Sequence, residues 1–170
     1  SLVADHLAPI GLYGLLASLE TLYGHELPTV RLAAVRSLSR YYYKRTFVTL
    51  ERALVDADPR VVKEAIGAVE RLRFDPAFDP LSRIYRTSSL VEARLAALRS
   101  IARIDAVEAA ELVLGALDHG GPEERETVTA ALKAGRGSRF VDVARAAYPD
   151  ASPRLRASLD EVLRARGLSV

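Results

Sequence analysis

The stretch Asp58-Pro-Arg-Val-Val-Lys-Glu-Ala-Ile-Gly-Ala-Val-Glu-Arg-Leu72 opens with an Asp-Pro pair and continues with aliphatic side chains at helical spacing. Ala65, Ile66 and Val69 follow the order i, i+1, i+4, which places them on one face of a helix. A proline is tolerated in the first helical turn because its missing N–H would be unpaired there. The aspartate before it is a favoured N-cap residue. The stretch therefore predicts a helix with one buried face.

The same pattern recurs along the chain. Pro28, Pro59, Pro122 and Pro153 are separated by 31, 63 and 31 residues, and Val91 stands where the long interval lacks a proline. Alignment on these positions brings the aliphatic side chains into three columns. The columns are Ala34, Ala65, Ala97, Val128 and Leu159; Leu38, Val69, Ile101, Leu132 and Leu163; and Val35, Ile66 and Leu98, which breaks at Thr129 and Asp160. Recurrence at a fixed period is the sequence signature of a repeat architecture.

A second set of apolar positions lies in register between these helices. Its columns are Leu19, Leu50, Leu81, Val113 and Ala144, and Tyr23, Leu54, Tyr85, Leu117 and Tyr148. Each repeat is therefore predicted to be a helix A, a short turn and a helix B. The expected A helices are 7–23, 44–56, 76–87, 106–118 and 138–148. The expected B helices are 28–42, 59–73, 90–104, 122–134 and 153–166.

The predicted fold is an all-α solenoid of about five helical hairpins. The hairpins are expected at approximately 7–42, 44–73, 76–104, 106–134 and 138–166, in a single domain over residues 1–170. The chain starts at Ser1 and contains no Met. We therefore expect it to be part of a larger protein.

Glycine and proline punctuate the helices. Gly24, Gly120, Gly121, Gly135 and Gly137 fall between helices, where left-handed C-caps are expected. Pro80 falls inside the third A helix and should kink it or delay its start.

These repeats resemble the HEAT-repeat family and its HEAT-like relatives. The resemblance lies in residues 58–72, in Leu90-Val-Glu-Ala-Arg-Leu-Ala-Ala-Leu98 and in Thr29-Val-Arg-Leu-Ala-Ala-Val35. The family arginine corresponds to Arg31, Arg94, Arg125 and Arg156, with Val62 as the exception. The resemblance implies that this arginine bonds an aspartate of a neighbouring repeat, although Asp58 alone occupies the family's aspartate position. It also implies a HEAT-type (armadillo-like) solenoid whose B helices line the concave side.

Composition excludes several kinds of chemistry. There is no Cys, which removes disulfides, thiolate metal ligands and Cys nucleophiles. No apolar run is long enough to span a membrane and no signal peptide is visible, so we expect a cytoplasmic protein without a membrane partner. The absence of Asn, Gln and Trp and the excess of Arg over Lys are typical of a GC-rich bacterial genome.

Candidate catalytic motifs do not emerge from the sequence. His6, His25 and His119 have no partner at metal-ligand spacing, and we expect them to be exposed or in turns. The loop Gly135-Arg-Gly-Ser-Arg139 is faintly similar to a phosphate loop but lacks a preceding strand. We interpret it as a C-cap glycine followed by Ser138 as an N-cap. No cofactor, no metal and no enzymatic activity are therefore predicted.

Basic residues form the most distinctive polar pattern. The net charge is +2, but it is −3 over residues 1–27, +7 over 28–104 and −2 over 105–170. Arg40, Arg71 and Arg103 share one repeat position, and Arg36 and Arg99 share another. On a helical wheel these residues point away from the core. The predicted partner-binding residues on the concave B-helix face are Arg36, Arg40, Tyr43, Lys63, Arg71, Arg99 and Arg103, with Lys133 as an extension and Glu64, Glu70 and Glu126 as interruptions.

Three explanations of this pattern stay open. The arginines could simply solvate an exposed helix face, or they could bind an acidic segment of another protein through bidentate carboxylate contacts. They could also follow the phosphates of a nucleic acid, as the resemblance to HEAT-like DNA glycosylases suggests. The leading prediction is a protein-interaction scaffold. DNA binding is the first alternative, and a subunit similar to the HEAT-like bilin lyases is the second.

The first A helix is apolar around much of its circumference. It carries Leu7, Ile10, Leu12, Tyr13, Leu15, Leu16, Leu19, Leu22 and Tyr23. The ends of a solenoid need polar surfaces because each repeat is buried only by its neighbours. We therefore expect a neighbouring domain or a second copy to cover this helix.

Overall fold

The structure is a computed structural model that describes residues 14–41, 44–72 and 75–169. These residues form α-helices and two short 3-10 helices, and they contain no strand. The prediction of an all-α fold is confirmed.

The helices alternate between the A and B positions predicted from the repeat. The A helices are α1 (14–23 as described), α3 (Lys44–Ala53), α5 (Phe78–Thr87), α7 (Val107–His119) and α9 (Arg139–Ala147). The B helices are α2 (Pro28–Leu38), α4 (Pro59–Arg71), α6 (Val91–Ile101), α8 (Pro122–Ala134) and α10 (Pro153–Ala165). The 3-10 helices are Asp75–Ala77, before α5, and Tyr148–Asp150, after α9. Residues 7–13 of the first predicted helix lie outside the described residues.

Each proline-initiated B helix starts where the sequence indicates. At α10 the Ser152 hydroxyl accepts a hydrogen bond from the backbone N–H of Leu155 at 3.1 Å. At α4 the Asp58 carboxylate accepts one from the backbone N–H of Arg60 at 2.8 Å. These bonds satisfy N–H groups that have no partner inside the helix. Pro80 lies in the first turn of α5, after a 3-10 helix, so the proline coincides with a late start of the α-helix.

The first three B helices end two to four residues before the predicted boundary. Their chains close with i→i−3 bonds, such as Tyr41 N–H to Leu38 O at 2.9 Å and Ile104 N–H to Ile101 O at 3.0 Å. These tighter turns still direct the next apolar side chain inward, since Leu72 and Ile104 are buried. Hydrophobic periodicity alone does not distinguish this ending from a longer helix.

Two compact units make up the chain. The first, Ser1–Ala68, contains α1 to α3 and most of α4, and α2 packs against α3. Its core includes Leu16, Leu19 and Leu38, against which the partly buried Tyr41 packs. Tyr41 therefore contributes to the core.

The second unit, Val69–Val170, shows the stacking of an α-solenoid. Helix α5 packs against α6 and α7 against α8, which makes hairpins of A and B helices. The B helices also stack in order, with α8 contacting both α6 and α10, and α7 contacts α9 among the A helices. Equivalent helices of successive repeats are thus neighbours within this unit.

The aligned aliphatic columns form the interior. Every member of the Ala34 and Leu38 columns is buried, and so is every member of the Leu19 column. The side chain of Ser100 is also fully buried, and its hydroxyl donates to Val69 O at 2.7 Å, joining α6 to the end of α4. Burial of aliphatic surface between repeats is the main stabilising term, because one hairpin alone cannot bury its faces.

The glycines between helices do not form the expected left-handed C-caps. Among the described residues Gly167, with φ of 71°, is the one glycine at positive φ. Gly120 and Gly135 have φ of −65° and −79°, so the chain leaves these helices in an extended conformation. Gly120 is needed for a different reason, since a Cβ there would lie 2.3 Å from Ala116 O. The requirement is close approach rather than backbone handedness.

Candidate interaction surface

The predicted basic residues of the first unit are exposed, on the B helices α2 and α4 or, for Arg40, in the turn that follows α2. The Arg36 side chain is 57% exposed, and its Nε donates to Glu64 of α4 at 3.2 Å. Arg40 and Lys63 are exposed as well. Tyr43 lies outside the described residues, so its part in a contact surface stays a prediction.

The second unit holds the remaining predicted residues. Arg71 is exposed at the end of α4, and Arg103 is half-buried in the turn after α6. The Arg99 guanidinium bonds the carboxylate of Glu70. On the next pair of B helices, Lys133 of α8 donates to Glu161 of α10 at 2.6 Å.

Of the three predicted interruptions, Glu64 and Glu70 pair with bases of this face, whereas Glu126 is exposed and makes no ion pair among the described residues. Arg36 with Glu64, Arg99 with Glu70, and Lys133 with Glu161 each join two successive B helices within one unit. Their side chains are 19–58% exposed, so solvent screens each pair and its contribution to stability is about 0.2–1 kcal/mol. What the pairs do is hold long side chains in defined positions on the surface.

The arginines of the HEAT-like position have a structural role that differs from the expected one. Arg94 donates to Ser88 O at 3.0 Å, Arg125 bonds Gly120 O, and Arg156 bonds Pro149 O at 2.6 Å. Arg31 likewise donates to the carbonyl of Glu26 at 2.8 Å. Each of these carbonyls lies in the turn between the A and B helices of the same repeat. The guanidinium groups thus hold the turns through carbonyl groups that no helix pairs.

Arg31 also makes an inter-repeat ion pair, but with Asp56 rather than Asp58. Its Nη2 lies 2.8 Å from Asp56 Oδ1 and its Nε lies 2.9 Å from Oδ2. The Asp56 carboxylate also accepts from Tyr23 Oη at 3.1 Å and from the backbone N–H of Asp58 at 2.9 Å. Asp58 instead caps α4 and pairs with Arg60 at 2.8 Å.

This network perturbs the ionisation of its members. Hydrogen bonds from Arg31 lower the pKa of Asp56 below its ordinary value, assisted by the N–H of Asp58 and by Tyr23. Burial, together with the negative charge of Asp56, raises the pKa of Tyr23 to about 12. The carboxylate stays charged and the phenol stays neutral throughout the physiological range.

Two further tyrosines of the same column bond carboxylates. Tyr148 Oη donates to Asp160 at 3.0 Å, which raises the pKa of Tyr148 and explains why the third apolar column breaks at Asp160. The pKa of Tyr85 is raised by burial and by a hydrogen bond to Glu124. These tyrosines are structural members of the repeat.

Catalytic and metal-binding groups do not converge anywhere in the described residues. His25 and His119 are exposed, as predicted, while His6 lies outside the described residues. Within the described part of the chain, no three His, Asp or Glu side chains are placed to hold a metal ion. No helix among these residues has the length and apolar character needed to cross a membrane.

The loop before α9 differs from its predicted role as a pair of helix caps. Ser138 has αR backbone angles, and its side chain makes no capping hydrogen bond. The Asp105 carboxylate of the preceding repeat takes that place by accepting from the backbone N–H of Arg139 at 2.8 Å. Gly137 permits this approach, since a Cβ there would lie 2.7 Å from Asp105 Oδ1.

Helices in A–B order with buried columns in equivalent positions decide the architecture. The chain is an all-α helical-repeat protein. It is similar to solved structures of designed armadillo repeat proteins. No protein-family model and no curated protein sequence matches it.

Three solved structures illustrate the similarity. The designed armadillo repeat protein YIII(Dq)4CqI is 18% identical with a TM-score of 0.46, and the match covers 95% of this chain and 86% of that chain. The designed armadillo repeat protein YIII(Dq.V1)4CPAF in complex with the peptide (KR)4 is 16% identical with a TM-score of 0.47, covering 95% and 85%. Computationally designed armadillo repeat proteins for modular peptide recognition are 18% identical with a TM-score of 0.44, covering 95% and 86%.

Proposed function

We propose that the chain is a non-catalytic interaction scaffold that binds an acidic segment of another protein on the B-helix faces of its units. The observation that carries this proposal is the set of ion pairs between successive B helices, Arg36 with Glu64, Arg99 with Glu70 and Lys133 with Glu161. Exposed pairs of this kind add little to folding stability. Side chains that are already held in place lose less conformational entropy when a partner binds, so the entropy cost of binding is lower.

Guanidinium groups that already contact one carboxylate still have donors to offer. Arginine has five N–H donors, and Arg99 uses part of this set on Glu70. On α8, which packs against α6, the side chains of Ala130 and Ala134 are short and exposed. A backbone can approach such small residues closely while its carboxylates reach the flanking guanidinium groups.

The carboxylates on the same face disfavour a nucleic acid as the partner. Glu64, Glu70 and Glu161 carry negative charge beside the basic groups, so a continuous line of phosphates would meet repulsion at each inter-helix pair. A protein segment can place its carboxylates only where the arginines are. The alternation of charge therefore supports a protein partner over DNA.

The experiment compares two triple variants that change the net charge equally. The test variant replaces the basic member of each ion pair with glutamate: Arg36→Glu, Arg99→Glu and Lys133→Glu. The control variant replaces exposed arginines of A helices: Arg83→Glu, Arg86→Glu and Arg139→Glu. Binding of a labelled peptide of alternating glutamate and valine, and of labelled duplex DNA at low and high salt, is followed by fluorescence anisotropy.

The expected result is peptide binding by the native chain and the control, with a loss of about tenfold or more in the test variant. Circular dichroism should show unchanged helicity in both variants. Equal losses in the two variants, or no peptide binding at all, would remove the proposal. If the native chain binds DNA with a steep salt dependence and the test variant does not bind it, the surface binds nucleic acid instead of a protein segment.

Coverage of the first A helix by a neighbouring domain or a second copy is a separate part of this proposal. Leu15 and Leu22 of α1 are 41% and 44% exposed, whereas Leu16 and Tyr23 are buried. We expect light scattering to show association of the isolated chain. Substitution of Leu15 and Leu22 by glutamate should abolish it, and a native chain that stays monomeric would contradict self-association.

A further inference from the structure

A cleft of about 680 Å³ lies in the second unit, and Lys133 of the Lys133–Glu161 pair is one of the residues that line it. It is bounded by the end of α8, the loop before α9, one side of α9 and the segment that follows α10. Its volume falls within the range of about 300–1,000 Å³ typical of small-molecule sites.

Positive charge dominates the polar lining of this cleft. Arg136, Arg145, Arg166 and Lys133 line it, against the carboxylate of Asp142. Lys133 is already neutralised by Glu161 at 2.6 Å. Three guanidinium groups are left facing one shared space.

None of these three guanidinium groups is paired with a carboxylate in the described part of the chain. Arg145 donates one N–H to Ser169 O at 2.8 Å, and Arg166 donates one to Gly137 O at 2.8 Å. Arg136 makes no side-chain hydrogen bond or ion pair within the described residues. The two backbone contacts orient Arg145 and Arg166 and leave most of their donors available.

The loop that separates α8 from α9 contributes a further donor. The Ser138 hydroxyl lines the cleft, and it has no hydrogen-bond partner among the described residues because Asp105 has taken over the start of α9. An unused hydroxyl beside three guanidinium groups is suited to an anion with several acceptor oxygens.

We propose that this cleft binds a small phosphate monoester that carries a hydroxyl group near the phosphate. Each guanidinium group can donate two parallel hydrogen bonds to a pair of phosphate oxygens. A single carboxylate has too few oxygens to accept from all three guanidinium groups in this way. Asp142 has no side-chain partner in the described residues and can accept a hydrogen bond from the ligand hydroxyl. The side chains of Val141 and Leu168 supply an apolar wall for the organic part of the ligand.

The test uses the full chain, with glycerol phosphate, inorganic phosphate, glycerol and a phosphoserine peptide as probes in titration calorimetry. The test variants are Arg136→Gln and Arg145→Gln. The matched control is Arg139→Gln, which removes the same charge from an exposed arginine of the same region that does not line the cleft.

Glycerol phosphate should bind more tightly than inorganic phosphate, and glycerol alone should not bind. Each test variant should weaken glycerol phosphate binding about tenfold, while Arg139→Gln should change it less than about twofold. Asp142→Ala should remove the preference for glycerol phosphate over inorganic phosphate.

Several outcomes would overturn the proposal. Absence of binding up to about 10 mM ligand would do so. If Arg139→Gln weakens glycerol phosphate binding as much as the test variants do, the net charge of the region and not the cleft explains the binding. Tighter binding of the phosphoserine peptide than of glycerol phosphate would replace the small-molecule ligand with a phosphorylated protein segment.

Discussion

Replacement of Asp56 by alanine provides a demanding test of how the first two repeats are joined. The carboxylate is 4% exposed and receives four hydrogen bonds, two of them from Arg31 and one each from Tyr23 and the Asp58 N–H. The substitution removes a buried negative charge while its positive partner remains in place. It also leaves the Tyr23 phenol without its acceptor.

The size of the effect follows from these contacts. Breaking a buried ion pair by removing one partner costs about 3–5 kcal/mol. Arg31 retains its bonds to the carbonyls of His25 and Glu26, and 16% of its side chain is exposed. These remaining contacts place the expected loss in the free energy of unfolding near the lower limit, at about 3 kcal/mol. The matched control is Glu64→Ala, which breaks the exposed pair with Arg36 and should cost at most about 1 kcal/mol.

The difference between native chain and variant should also depend on pH. Because the pKa of Asp56 is lowered in the folded state, its contribution is fully present above the unfolded pKa of about 3.9. The contribution is lost as the pH falls through the lower folded value. Urea unfolding followed by circular dichroism at neutral pH and near pH 3 measures both effects.

Two results would refute this reasoning. One is a destabilisation by Asp56→Ala no larger than that of Glu64→Ala. The other is a difference between native chain and Asp56→Ala that does not shrink at acidic pH. Either would mean that water replaces the carboxylate at little cost and that the apolar contacts alone join these repeats.

Three further predictions concern the repeat itself. Leu98→Ala, at a fully buried position, should lower the free energy of unfolding by about 2–5 kcal/mol, whereas Val91→Ala, at a 42% exposed position, should lower it by less than about 1 kcal/mol. Similar urea midpoints for the two variants would contradict the burial of Leu98 between helices. Gly120→Ala should lower the thermal midpoint because its Cβ would lie 2.3 Å from a carbonyl oxygen, while Gly121→Ala has no atom within 4 Å and should not; the opposite order would show that backbone conformation decides. In an ultraviolet titration, the native chain should show a phenol with a pKa of about 12 that Tyr23→Phe lacks. If Tyr23→Phe instead lacks a step near pH 10, the Tyr23 phenol is not buried.

The interior of the protein could be predicted from the sequence because it depends on local periodicity. The columns of Ala34, Leu38 and Leu19 are separated by nearly constant intervals, and a helix converts that spacing directly into a buried face. The prolines mark the helix starts in the same local way. Helix ends were less predictable, since the tight turns after Leu38 and Ile101 use backbone bonds that leave no compositional mark.

The polar contacts could not be predicted because they depend on distances between repeats. Arg31 was expected to reach an aspartate of the next repeat, but the turn geometry brings Asp56 to it and assigns Asp58 to the cap of α4. The identity of the base that each glutamate meets on the B-helix face likewise depends on the offset between stacked helices. Ser138 was predicted to cap α9, and no sequence signal indicated that Asp105, 34 residues away from Arg139, would do so.

The arginines that bond the A–B turns are not present in every repeat, so the turns differ in what stabilises them. Repeats with Arg94, Arg125 or Arg156 fasten their own A–B turn, whereas Val62 gives the second repeat no such group. The second turn depends on Asp56, which Arg31 grips from the repeat before it. Unfolding that begins in the first repeat should therefore extend into the second. The backbone amides of the second repeat should exchange faster whenever the first hairpin opens.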